Sequence, residues 1–309
     1  MIYIDPPLWP AHNTCFSHLV SDTSLEELHE FAAAARIPRR AFDQDHYDVP
    51  EHRYDELVRA GARAVDGRTL VRALIAGGLR IPARERAASL VHPLRRRWDS
   101  LVPGAEEVGA ELLNRWGEPH RRYHDRRHLL QVLEALHTLG ATDRPVLLAA
   151  WFHDAVYDGV PGRDEESSAV LAETLLPEAG ISAGEVEEAA RLVRLTAGHD
   201  PEPDDRHGAL LCDADLSVLG QTAEAYDRYA ADIRREYGHV EEDAFRAGRR
   251  TVLQALLGNG TVFRTGRAEA LWGEAARSNL ARELAVLAPA AAGLSVPESS
   301  TEGGSASRG

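Results

Sequence analysis

Leu147-Leu148-Ala149-Ala150-Trp151-Phe152-His153-Asp154 is the stretch on which the fold of this chain turns: six apolar residues, then an imidazole and a carboxylate with no spacer between. The run reads as a buried helix, so two ionisable groups emerge side by side at its end. Burying both without a partner is costly, and a cation is the natural partner. A His-Asp pair alone says little, because His124-Asp125 and His199-Asp200 repeat it. The weight lies in the combination: His128 upstream and Asp215 downstream complete a set whose order and approximate spacing build one divalent-cation site inside a helical bundle.

Two neutral imidazoles and two carboxylates balance a divalent charge and leave coordination positions open. A cation held this way polarises a phosphoryl group and lowers the pKa of water bound to it. The mixed nitrogen and oxygen set admits Mn, Fe, Co, Ni, Zn or Mg, with Mg least readily bound by two imidazoles. Several neighbours compete for roles. His124 and His128 share a helical face only if the helix already covers both; otherwise His124 caps or hydrogen-bonds the helix start. Asp213 and Asp215, two apart on a helix, point about 200° apart. One is therefore expected to cap a helix from Ala214 to Leu219, since Asp is a favoured N-cap, while the other binds metal. His199 closes an expected helix from Glu185 to Gly198, where the dipole favours a cationic ring.

Three segments together, Arg122-Tyr123-His124-Asp125-Arg126-Arg127-His128-Leu129-Leu130, Trp151-Phe152-His153-Asp154-Ala155-Val156-Tyr157-Asp158 and Asp213-Ala214-Asp215-Leu216, resemble the HD superfamily of metal-dependent phosphohydrolases, in particular its YHxxxH branch. The resemblance spans roughly residues 90–288 and implies an all-helical fold and hydrolysis of phosphate esters. It implies His128, His153, Asp154 and Asp215 as metal ligands, with Asp154 also catalytic. It places His124 and His199 on the substrate side and gives Glu166 a general acid/base or metal-water role, against its plainer reading as an acidic residue at a helix start. Ile233-Arg234-Arg235-Glu236-Tyr237 and Ala247-Gly248-Arg249-Arg250 are similar to family motifs, which brings forward Arg234 and Arg249 as phosphate-binding residues, a task suited to the bidentate guanidinium.

The wider composition sets bounds. The chain has 309 residues, 44% hydrophobic and 27% charged, enough for two domains and a real core. All 35 basic side chains are Arg. A net charge of −14 argues against broad binding of nucleic acid or anionic membranes, yet suits a small phosphorylated metabolite or nucleotide in a locally positive pocket. Oligomerisation is left open. Two cysteines, Cys15 and Cys212, fit a reducing compartment; with no signal peptide and no membrane-length apolar run, a cytoplasmic location is expected.

The N-terminal part has another texture. Ile2-Tyr3-Ile4 reads as a strand, Ser24-Leu25-Glu26-Glu27 as a capping box opening a helix to about Ala35, and Tyr54–Ala60 and Arg68–Ala76 as further helices around Ala62-Arg63-Ala64-Val65. Its Met-Ile-Tyr-Ile-Asp opening, its Ser17-His18-Leu19-Val20-Ser21-Asp22 segment and its His46-Tyr47-Asp48 are similar to an uncharacterised bacterial domain family, over residues 1 to about 78. Asp5, His18, Asp22, His29, His46 and Asp48 offer material for a second polar site. The plainer account has Asp22 and Ser24 capping a helix while His46 and Asp48 hold a loop.

The expected architecture is mainly α: a small α/β domain (1–80), a linker (81–96), an all-helical HD-type bundle (97–290) and a disordered Ser, Gly and Glu-rich tail (291–309). The expected activity is metal-dependent hydrolysis of a small phosphate ester. Its rivals are a metal- and nucleotide-binding regulator without turnover, and a di-iron oxygenase drawing extra ligands from His124, His199 and Glu166.

Overall fold

The computed structural model describes residues 1–11, 14–43, 45–77, 79, 87–160, 162–258 and 260–288. The segment around His12-Asn13, the linker up to Arg86 and the expected tail lie outside the described residues. The molecule is mainly helical, with a small sheet domain at its N-terminus.

Strands β1 (Ile2–Ile4), β2 (Trp9–Ala11), β3 (Thr14–Ser21), β4 (Phe42–Asp43), β5 (His46–Pro50) and β6 (Arg63–Ala64) form one sheet, ordered β4-β5-β3-β1-β6, with β2 hairpinned onto β3. Only the β1–β6 pair is parallel. Helices α1 (Leu25–Ala34), α2 (Tyr54–Arg59) and α3 (Gly67–Ala76) cover it. Ser24 caps α1 by accepting from the Glu27 amide. The other half of the expected capping box is redirected: the Glu27 carboxylate takes the Ser21 hydroxyl and the N-terminal amine. Ile4, Leu19, Leu28, Tyr47, Val49 and Leu57 make a buried core on one face; Val20, Leu70 and Leu74 make a smaller one on the other.

The helical part begins before the expected boundary at 97. Helix α4 (Val91–Leu101) already occupies residues 91–96, because Leu90, Leu94 and Trp98 recur at helical spacing and are buried in the helical core. After it come α5 (Glu106–Arg115), α6 (Arg126–Leu139), α7 (Arg144–Phe152), α8 (Arg163–Glu178), α9 (Ala183–Leu195), α10 (Arg206–Asp215), α11 (Ala223–Glu236), α12 (Glu242–Gly258) and α13 (Gly266–Leu287). Helix α7 is apolar on every side and lies in the middle, packed on α6, α8, α9 and α10, with Leu148 to Phe152 almost fully buried. Leu148 and Phe152 each contribute roughly 1.5–3 kcal/mol of burial. Trp98 packs edge-on to Trp151 at 5.2 Å, and Gly109 lets α5 approach: a Cβ there would meet the Trp98 ring at 2.3 Å. Among the described residues no helix is long and apolar enough to cross a membrane.

Candidate metal centre

The centre is built from helix ends. Asp125, not His124, caps α6: its carboxylate accepts from the Arg127 amide at 2.7 Å, so the helix starts after His124 and carries His128 in its first turn. Helix α7 stops at Phe152. His153 follows as its C-cap, its Nδ1 donating to the Ala150 carbonyl at 2.9 Å, which leaves Nε2 aimed into the bundle. Asp215 is the last residue of α10.

These ends meet. His128 Nε2 lies 3.1 Å from His153 Nε2 and 3.0 Å from Asp215 Oδ1; His153 Nε2 is 3.6 Å from that same oxygen. Asp154 Oδ2 stands 3.4 Å from His153 Nε2 and 3.7 Å from His128 Nε2. Both histidines are buried. Two imidazole nitrogens face each other beside two carboxylates, and His153 has already committed its Nδ1 proton to a carbonyl. A single shared proton satisfies one nitrogen pair at most, whereas a cation accepts both lone pairs and both carboxylates together. Among the described residues, His128, His153 and Asp215 form one of two His/Asp clusters that could hold a metal ion.

The electrostatics follow from this crowding. Burial alone would push His153 down, but the charges of Asp154 and Asp215 outweigh it and raise the ring to about 9. Burial dominates at His128 and lowers it. For Asp215 burial works upward and loses to His153, His128 and His199, which hold the carboxyl well below its usual range.

Around the four sits a supporting layer. His124 stacks on Tyr157, its Nε2 4.0 Å from Asp154 and its Nδ1 in a short hydrogen bond with Glu236. Glu236 is the residue that motif reasoning passes over. From the end of α11 it also accepts the amides of Arg122, Tyr123 and His124 at 2.7, 3.0 and 3.3 Å, so one carboxylate shapes the whole turn before α6. Its only sequence signal is its place in Ile233-Arg234-Arg235-Glu236-Tyr237. Arg121, also unanticipated, has a fully buried side chain that donates to the carbonyls of His124, Asp154 and Ala155, tying that turn to the end of α7. His199 lies past α9, which ends at Leu195 rather than Gly198. It adopts φ +49°, a left-handed conformation uncommon outside glycine, and its Nε2 meets Asp215 Oδ2 at 2.7 Å.

Other expectations change. Asp213 does not cap a helix from Ala214; both aspartates lie in the last turn of α10 and point apart. Asp213 accepts the Arg264 and Thr265 amides and the Thr265 hydroxyl at 2.6–2.7 Å, fastening the start of α13. Glu166 is not at the centre. It forms a two-pronged ion pair with Arg194 on the outer surface, and its exposed side chain keeps the ordinary role of a helix-start acid. Arg234 is not free for phosphate: its donors go to Glu242 and the carbonyls of Tyr237 and Val240. Arg249 does line the cavity but is held by Glu283 and Tyr229.

That cavity, about 480 Å³, is lined by the polar Asp215, His124, His199 and Arg249 together with Tyr229, Tyr237, Phe245 and Val252. A smaller one of about 140 Å³ adjoins it and reaches Asp154. A separate cavity of about 510 Å³ touches only His128 of the four.

In the sheet domain, His46 and Asp48 lie on strand β5 rather than in a loop, and they face His18 on β3. Asp22 binds the N-terminal amine and Tyr3. His29 is apart, against Tyr47 and Phe42.

The class these features define is a mainly helical protein with a His/Asp cluster between helix ends and a small sheet domain in front. Residues 2–77 match the model of a family described as a protein of unknown function, DUF4031. Neither the curated proteins nor the solved structures compared gave a match.

Proposed function

We propose that the helical part is an HD-type metal-dependent phosphohydrolase acting on a nucleotide or another small phosphorylated metabolite. One observation carries this: two imidazole nitrogens 3.1 Å apart, flanked by two carboxylates, of which Asp215 also lines a cavity shared with His124, His199, Arg249 and the rings of Tyr229, Tyr237 and Phe245. His128, His153, Asp154 and Asp215 would hold the ion. When bound, it supplies polarisation of the phosphoryl group and acidification of water.

The chain's own residues do the rest. His199, whose Nε2 lies 2.7 Å from Asp215 Oδ2, helps hold that carboxylate ionised. His124 is poised to present a proton toward Asp154 and substrate. Burial would strip that proton, but the Glu236 hydrogen bond and the Asp154 and Glu236 charges raise the ring's affinity for it. Arg249 adds a fixed guanidinium to the cavity wall, and the Tyr229, Tyr237 and Phe245 rings suit a flat or apolar substituent on the phosphate. Catalytic weight falls on Asp154 and not on Glu166. The di-iron alternative loses one of its three extra ligands with Glu166.

The test is a phosphate-release screen over nucleotides and phosphosugars with several added divalent ions. Release that requires the ion and disappears in Asp154→Ala is expected. Nucleotide binding with no release under any ion would instead establish the regulator.

A further inference from the structure

The second His/Asp cluster lies on the sheet, outside everything the helical site uses. In the β3–β5 pairing His18 sits directly opposite Asp48, and His46 is two residues from Asp48 on the same strand. Side chains alternate across a strand, so these three share one face while their neighbours Leu19, Tyr47 and Val49 enter the core on the other.

Each histidine is oriented from behind. Asp5, buried, takes the His18 amide at 2.6 Å and its Nδ1 at 3.0 Å; Asp45, fully buried, takes His46 Nδ1 at 2.6 Å. A carboxylate on Nδ1 fixes the tautomer and leaves Nε2 as a lone-pair donor, the arrangement that supports metal-bound histidines. Both Nε2 atoms turn to Asp48 Oδ1, at 3.9 Å from His18 and 3.4 Å from His46, and the three donor atoms lie within 4.8 Å of one another. Donors around one ion at about 2.0–2.1 Å stand about 3.3–3.5 Å apart in a tetrahedral set. His46 and Asp48 already meet that spacing. The His18–Asp48 separation is about half an ångström longer, and the Asp48 side chain is 46% exposed.

We propose that His18, His46 and Asp48, the donors brought together here among the described residues, form a binding site for a divalent transition-metal ion. Two imidazoles and one carboxylate favour Zn, Fe, Co, Ni or Mn over Ca and Mg. Asp5 and Asp45 are positioning residues.

The full-length chain tests this independently of the helical site. Wild type, His18→Ala and Asp48→Asn are stripped with chelator, reloaded with Co²⁺ or Zn²⁺, desalted, and their bound metal counted by elemental analysis. Each variant should hold one equivalent less than wild type, whether or not the helical centre is loaded, and should lose the corresponding cobalt d–d absorption. Asp5→Asn should weaken this equivalent about 10–100-fold. Asp48 is half-exposed, so Asp48→Asn decides the matter even if His18→Ala fails to fold. Equal metal content and equal cobalt spectra in wild type and Asp48→Asn would overturn the proposal.

Discussion

Replacing Glu236 tests whether the turn before α6 is held from α11. In Glu236→Ala three backbone N–H groups and His124 lose a carboxylate whose side chain is only 5% exposed. Hydrogen bonds to a charged group contribute about 1.5–3 kcal/mol each, and a buried donor left without a partner costs about 1–3 kcal/mol. The contributions do not add fully, because the Arg122 side is open enough for water to replace one acceptor. The expected loss is about 3–5 kcal/mol, the range found when one member of a buried ion pair is removed. Glu236→Gln keeps an acceptor and should lose about half of that. Chemical denaturation followed by tryptophan fluorescence reads the helical part, since Trp98, Trp116, Trp151 and Trp272 all lie there. A double-mutant cycle with His124→Ala should give a coupling of about 1–3 kcal/mol. A loss below about 1 kcal/mol for Glu236→Ala, or additive effects in the cycle, would refute the role assigned to this carboxylate.

The two aspartates of α10 should separate cleanly: Asp213→Ala is expected to cost about 2–4 kcal/mol of stability by releasing the start of α13 while bound metal stays constant, and Asp215→Ala to remove the one equivalent held at the helical site. Elemental analysis beside denaturation distinguishes them, and metal loss in Asp213→Ala alone would reverse the assignment. Burial, with the charges of Arg39 and Arg235, lowers His29 from 6.5 to about 4. Its neutral ring therefore contributes stability that is complete above pH 6.5 and lost as pH falls toward 4; an NMR titration of this ring with its midpoint near 6.5 would contradict that. A chain starting at residue 88 should fold, keep the helical-site metal and hydrolyse substrate, because the buried side chains from Leu90 to Leu287 form their own cluster. Retained metal with lost turnover would show that the sheet domain completes the active site.

What could be read from sequence follows the range of each interaction. The apolar run ending in His153-Asp154 announces a buried helix with two polar groups at its tip, and Ser24 announces a helix start, because both are local patterns. The alternation of His46 and Asp48 with the buried Tyr47 and Val49 is legible too, as the period of a strand, yet their convergence with His18 depends on a register that pairs His18 with Asp48 across 29 intervening residues. Glu236 lies 112 residues beyond His124, and Asp213 serves a helix start 52 residues away. Neither partnership has any local trace. Residue type misleads at Arg234: guanidinium suits phosphate, but its three hydrogen bonds to Glu242 and two carbonyls give it a structural task that only the fold defines.

In the proposed function the tips of three helices share one metal ion. Crystals of the full chain reloaded with Zn²⁺ or Mn²⁺, measured at the absorption edge of the added metal, test it directly. An anomalous peak about 2.0–2.2 Å from Nε2 of both His128 and His153, with carboxylate oxygens of Asp154 and Asp215 completing the set, is the predicted result. Full occupancy elsewhere in the chain with no peak among these four side chains would contradict it.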